Sequence, residues 1–279
     1  MSDAAANTDQ IAYWNEAAGS TWVEFQDALD RQVGPLGARV IGALAPAAGE
    51  RFLDIGCGCG ETTLDLAKRV GPSGAVLGVD ISQPMLAVAR GRAGGVSQAS
   101  FLQADAQTHP FEAGAYDAIH SRFGVMFFQD PVAAFANLRQ ALKPGGRLAF
   151  VCWRAPAENP IMTLPMAAAA PHLPPPVPPT PGAPGPFAFA DADRLRGILA
   201  DAGFQDIALE PQDMAAGGNN LEGALDLALR VGPLGAQLRE RPEARPAVIA
   251  DVRAALASHL RDGRVFLPSA TWIVSARTG

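Results

Sequence analysis

The run Phe52-Leu53-Asp54-Ile55-Gly56-Cys57-Gly58-Cys59-Gly60 constrains this chain more than any other. A short apolar segment ends in an acidic residue, three glycines follow at alternate positions, and a helix opens near Glu61. Glycine tolerates the backbone angles of such a turn and also lets a ligand lie against the main chain. A strand that feeds a Gly-rich loop and then a helix N-terminus is a nucleotide-type cofactor site in an open α/β sheet.

The flanking pattern agrees. Arg51 to Ile55, Ala75 to Asp80, Ser100 to Ala104, Tyr116 to Ser121 and Arg147 to Trp153 read as strands. Between them, Glu61 to Val70 carries Leu64, Ala67 and Val70 at helical spacing and stops at Gly71-Pro72. Ser82 is expected to cap the next helix, with Pro84 in its first turn. Asp130-Pro131 starts another, closed by Lys143-Pro144-Gly145-Gly146. Repeated βαβ units predict a parallel sheet with helices on both faces.

Outside this core the character changes. Met1 to Gly49 reads as one or two helices, and Pro171 to Pro186 as an extended, proline-rich linker over the surface. Asp191 to Ala202 is a helix and Phe204 to Glu210 a sixth strand. Leu221 to Leu260 is helical with a break at Gly232-Pro233, and Ala270 to Ala276 is a final strand. The expectation is one domain over 1–279. Its core covers about 38–155, 191–211 and 266–279, with helical cap segments at about 1–37, 156–190 and 212–265.

Composition narrows the partners. A net charge of -6 without a Lys/Arg cluster argues against nucleic acid as a partner. No apolar run reaches the ~20 residues of a membrane span. Met1 to Gln10 is polar and acidic and lacks the apolar heart of a leader, so the cytoplasm is the expected compartment. Cys57, Cys59 and Cys152 have no zinc-site spacing and read as reduced structural thiols, with no metal.

A dinucleotide loop would read G-x-G-x-x-G, which Gly56, Gly58 and Gly60 fit poorly. Asp80 ends the second strand, where a carboxylate can accept both hydroxyls of a ribose. Asp105 follows the third, where it can meet an exocyclic adenine amine. With Gly78-Val79-Asp80-Ile81-Ser82, Ala104-Asp105-Ala106 and Lys143-Pro144-Gly145-Gly146 in that order, the chain resembles the class I S-adenosylmethionine-dependent methyltransferases. Within them it looks like the small-molecule branch that includes ubiquinone/menaquinone-biosynthesis enzymes.

The resemblance implies a Rossmann-like seven-stranded sheet of order 3-2-1-4-5-7-6 with the last strand antiparallel. It implies S-adenosyl-L-methionine as cofactor, with Asp54 fixing the loop and Gly56, Cys57 and Gly58 against the methionine part. Asp80 would hold the ribose and Asp105 the adenine amine. Ile81, Met85 and Ala106 would complete the cofactor wall, and His120 and Ser121 would lie beside the sulfonium. One departure is the long separation, Gln212 to Pro268, between the last two strands.

Methyl transfer from a sulfonium needs alignment and exclusion of water more than a catalytic constellation. His120 is nevertheless a candidate base, and Arg122 a candidate anchor for an acidic group or else an ion pair. Tyr13, Trp14, Trp22, Phe123, Phe127, Trp153 and Asn159 are candidate lining of a largely apolar substrate pocket. The expected activity is methyl transfer to a small organic molecule. An NAD-type oxidoreductase, or a cofactor-binding regulatory subunit without catalysis, is the alternative.

Overall fold

The computed structural model describes residues 7–175, 180 and 182–279. Five parallel strands come first: β1 (Arg51–Ile55), β2 (Ala75–Asp80), β3 (Ala99–Gln103), β4 (Tyr116–Arg122) and β5 (Leu142–Trp153). Later in the chain come β6 (Gln205–Asn219), the two-residue β7 (Leu260–Arg261) and β8 (Arg264–Arg277). The order is β3-β2-β1-β4-β5-β8-β6, with β7 paired only to β8 and β8 antiparallel to both its larger neighbours. Set aside β7 and this is the order expected for the family, one short strand being extra.

Helices α1 (Thr8–Asn15), α2 (Ala17–Glu24) and α3 (Gln26–Leu44) precede the sheet, three where one or two were expected. Helices α4 (Glu61–Val70), α5 (Gln83–Arg92) and α6 (Pro131–Ala141) cross between the early strands, and α7 (Pro160–Ala169) and α8 (Ala192–Asp201) follow β5. Helices α9 (Leu221–Arg230), α10 (Gly232–Glu240) and α11 (Arg245–Ala257) sit between β6 and β8, with α9 ending just before Gly232 as the Gly-Pro break predicts. Local chemistry sets several starts. The carboxylates of Asp130 and Asp191 and the amide oxygen of Asn220 accept from the third residue onward, each satisfying an orphan helix N–H. Ser82 stands at the start of α5 but does not cap it, because its hydroxyl donates to Trp14 O in the N-terminal segment.

The core is continuous on both faces of the sheet. Phe135 of α6 lies against Phe150 of β5 at 5.5 Å between ring centroids, and Phe52, Leu66 and Leu138 are also fully buried. Truncating a ring such as Phe135 would cost about 3–5 kcal/mol. Strand β5 begins five residues earlier than its apolar run suggests. Tyr116 pairs with Leu142 and Ala118 with Arg147, so Lys143 to Gly146 bulge out, with Gly145 at φ +72.

Strands β6 and β8 are far longer than expected. Past Trp153, where β5 ends opposite Thr271, they continue as a two-stranded ribbon beyond the carboxyl edge of the sheet. Pro211 and Pro268 hid this extension, since proline suits an edge strand better than a central one. The ribbon tip is tied to α3: Arg31 Nε donates to Asn219 Oδ1 at 3.0 Å, and Asn219 Nδ2 to Ala28 O at 3.1 Å. Residues 212–219 and 264–265, placed with the cap by sequence, are therefore strand, and α3 crosses the expected boundary at residue 38.

Candidate active site

A cavity of about 550 Å³ opens over the carboxyl edge of the parallel strands, where α/β sheets bind ligands. The Gly-rich loop forms one wall. Gly56 (φ +67) and Gly58 (φ +53) adopt left-handed backbone, and a Cβ on Gly56 would meet Gly124 Cα at 2.5 Å. A Cβ on Gly58 would meet only the flexible end of Met85, Cε at 2.8 Å, so there the left-handed φ is what asks for glycine and leaves bare backbone to the cavity.

Asp54 lies behind this loop. Its Oδ2 accepts from Thr62 Oγ1 at 2.7 Å and Thr63 Oγ1 at 2.6 Å, which pins the start of α4 to the end of β1. Its Oδ1 meets His120 Nδ1 at 2.8 Å. Burial opposes the Asp54 charge, but His120 and the two hydroxyls hold its carboxyl below the ordinary value. Asp80 reaches the cavity directly. Its oxygens accept from Gly58 N and Ser82 N, each at 2.8 Å, and burial still pushes its pKa up. Asp105 accepts from Asn7 Nδ2 with both oxygens, at 2.9 and 3.0 Å, and from Gln107 N at 2.9 Å.

Aromatic side chains form the opposite wall. Phe123 stacks on Trp153 with centroids 4.4 Å apart and planes 10° from parallel. Trp14 packs edge-on against Tyr13, Trp22 and Phe127. All six line the cavity, although Tyr13 is half-exposed at the rim. Ile161, Met162, Pro165 and Met166 of α7 add to this wall, as do Leu227, Leu234, Val265 and Leu267 from the ribbon and its helices.

Four sequence candidates lie elsewhere or are already engaged. His120 and Ser121 are fully buried and do not line the cavity. His120 is held by Asp54, and Ser121 Oγ donates to Ile55 O at 2.7 Å. Asn159 is likewise buried, its amide spanning Ala270 N, Ala270 O and Arg154 O, so it joins the β5 exit to β8 rather than facing a substrate. Arg122 touches the cavity, but Glu61 and Asp30 occupy its guanidinium, and the side chain is 13% exposed. Asp30 also holds Arg92 at 3.2 Å. Burial pushes Asp30 up, but hydrogen bonds from Glu61 and Gln26 and the two arginines bring it below its ordinary value, while burial and Asp30 raise Glu61. This network fastens α3 to the sheet.

Sequence reading missed Asn7, Gln10 and Gln26, which line the cavity from the N-terminal helices. The side-chain oxygens of Gln10 and Gln26 are buried with no hydrogen-bond partner among the described residues. A helical cap after the fifth strand was expected, but α7 was not named as cavity lining, and its composition, Pro-Ile-Met-Thr-Leu-Pro-Met, was the available signal. A helix without a polar face outside a sheet core has to cover something apolar. Part of the proline-rich stretch lies outside the described residues, but Pro184, Gly185 and Pro186 line the cavity and so do more than cross the surface.

Residues 52–146 match the methyltransferase domain family. Over that third of its length the chain carries a methyltransferase domain. Aklanonic acid methyltransferase DauC of Streptomyces sp. (strain C5) is 39% identical over 118 residues, 42% of this chain and 54% of that protein. Demethylmenaquinone methyltransferase of Staphylococcus carnosus is 36% identical over 108 residues, 39% and 45% of the two chains. The chain thus spans about half the length of these relatives. Among solved structures, the YcgJ protein of Bacillus subtilis (TM-score 0.58, 17% identity, 88% of this chain and 98% of that one) shares the fold. So does the [4+2]-cyclase SpnF (TM-score 0.56, 21% identity, 88% and 80%).

The methyltransferase domain's own residues fit S-adenosylmethionine. The side-chain-free cradle at Gly56 and Gly58 leaves backbone for the methionine part, and Asp80 and Asp105 present carboxylates from neighbouring strands on the same cavity wall. Cys57, Ile81, Met85 and Ala106 line the space between them.

Proposed function

We propose that this chain transfers the methyl group of S-adenosylmethionine to a small, largely apolar organic molecule. One observation carries the reading: a single cavity joins the glycine cradle and Asp80 to the Phe123–Trp153 wall, so donor and acceptor would share one space. The cofactor would supply a methyl group on a sulfonium, already activated for displacement. Gly56 and Gly58 would hold its methionine part, Asp80 its ribose and Asp105 its adenine amine. Trp14, Trp22, Phe123 and Trp153 would orient the acceptor's apolar body and exclude water, which is most of what an in-line displacement asks of a protein.

The reading extends to a cytoplasmic setting without nucleic acid. Its support is the charge of -6 and three buried free thiols. Burial pushes Cys57 well up and Cys59 up to about 12, so both stay protonated and inert. Among the described residues no helix is long and apolar enough to cross a membrane. Because the cyclase SpnF shares this fold, fold alone does not decide chemistry. The test is a mass-spectrometric screen for a 14-dalton gain on apolar metabolites, run with S-adenosylmethionine. Tight S-adenosylhomocysteine binding with methyl product supports the reading, and binding of NAD in its place overturns it.

A further inference from the structure

Gln26, the first residue of α3, lines the cavity with Leu29 and Val33 of the same helix, and only 7% of it is exposed. One end of its amide is committed. It hydrogen-bonds the Asp30 carboxylate one turn on, and an ionised carboxylate can only accept, so the amide nitrogen faces Asp30. The other end, Oε1, is buried with no hydrogen-bond partner among the described residues. An unpaired buried amide oxygen is destabilising, so its presence on a cavity wall asks for a donor from the ligand.

The same network fixes where that oxygen stands. Asp30 also pairs with Arg92 at 3.2 Å and with Arg122 at 3.3 Å. Arg92 Nη1 donates to Cys59 O at 3.2 Å, and Arg122 pairs with Glu61, the first residue of α4. Through one carboxylate, Gln26 is therefore tied to the place where the Gly-rich loop turns into α4.

Under the methyltransferase reading above, that loop holds the methionine part of the cofactor. This part ends in two groups of opposite demand. Its carboxylate can only accept, whereas its α-ammonium brings three N–H donors, as a lysine head group does. An amide oxygen satisfies the ammonium alone. Donation from the Gln26 nitrogen into Asp30 polarises the amide and makes its oxygen a stronger acceptor for a cation.

We infer that Gln26 Oε1 accepts a hydrogen bond from the α-ammonium of S-adenosylmethionine. The inference rests on the methyltransferase reading and adds to it a residue for the amino-acid end, supplied by a helix that precedes the sheet. Asp80 and Asp105 serve the ribose and the adenine, and neither reaches this part of the ligand under that reading.

Three ligands isolate the contact by calorimetry on the full chain. They are S-adenosylhomocysteine, its deaminated analogue with hydrogen in place of the amino group, and 5′-methylthioadenosine, which lacks both charged groups. The wild type is expected to bind S-adenosylhomocysteine about tenfold more tightly than the deaminated analogue. Gln26→Met keeps the side-chain length without the amide. It should shrink that preference by about threefold or more and leave 5′-methylthioadenosine affinity within about twofold. Gln26→Ala should shrink the preference equally, and it decides the matter if the methionine variant does not fold. Equal wild-type binding of the two amino-acid ligands, or equal weakening of all three ligands in the variants, overturns the inference. So does a preference that survives the substitutions, which is the result expected if Gln26 serves the methyl acceptor instead. Binding of none of the three ligands by the wild type would overturn the methyltransferase reading, and the inference with it.

Discussion

Asp54 and His120 are register partners on neighbouring parallel strands, and their side chains meet at 2.8 Å with both sealed from solvent. The imidazole that sequence position recommends as a base is thus a strut behind the cofactor loop. An amide can replace that strut but cannot take up a proton. His120→Asn should keep kcat within about threefold, while His120→Ala, which strands a buried carboxylate, should lower stability by about 3–5 kcal/mol in urea unfolding. A collapse of kcat in a folded His120→Asn variant would reinstate the histidine as base.

The pH dependence of stability follows from the same carboxylate. Asp54 is held below its ordinary value of 3.8, so the unfolded chain takes up its proton first. The stabilisation is complete above that value and fades as pH falls through the lower folded pKa. Thr63→Val removes one of the hydroxyls responsible. Its destabilisation should be largest above about pH 5 and shrink towards pH 2. Urea titrations showing a pH-independent difference would refute this account.

Asp80 receives backbone N–H groups from Gly58 and Ser82 and still faces the cavity. If it accepts ribose hydroxyls, Asp80→Asn forfeits charge-assisted hydrogen bonds worth about 1.5–3 kcal/mol. S-Adenosylhomocysteine affinity should then fall roughly 10- to 100-fold by calorimetry. Unchanged affinity would remove Asp80 from the site.

Asn7 places its amide nitrogen on both oxygens of Asp105 while its own oxygen accepts from Gln129 N at 2.8 Å. An adenine amine that uses Asp105 must share or displace this donor. Asn7→Ala should therefore speed S-adenosylhomocysteine association in stopped-flow fluorescence, and slower association would count against competition at that carboxylate.

The stacked pair Phe123 and Trp153 should matter to the acceptor and not to the cofactor. Removing one partner forfeits about 0.5–1.5 kcal/mol beyond area burial. Trp153→Leu is expected to raise the acceptor KM about two- to tenfold and leave S-adenosylhomocysteine affinity within twofold. The reverse pattern would place the pair on the cofactor side.

The parallel half of the molecule was legible because its signals are local. Apolar runs, Gly-rich turns and acidic strand ends each report on a few adjacent residues, and they place Gly56, Asp80 and Asp105 on one wall. His120, Ser121 and Asn159 misled because strand-end position does not show which way a side chain is consumed. Asp54, Ile55 O and Ala270, the groups that engage them, are 66, 66 and 111 residues away. The long β6–β8 ribbon was obscured by Pro211 and Pro268, whose tolerance depends on an edge position no local window reveals. Asn7 had no sequence signal, since its meaning lies in the Asp105 carboxylate that faces it.

The ribbon beyond Trp153 has an evolutionary consequence. Everything it carries, α9 to α11, leaves and rejoins the sheet at one hairpin, so this excursion can be lengthened, trimmed or exchanged without disturbing the register of the five parallel strands. One part of the cavity wall, Leu227, Leu234, Ala236 and their neighbours, is thereby inherited on a stretch separable from the glycine cradle. A lineage could reshape that part of the cavity by rewriting about forty residues while the parallel strands stay fixed.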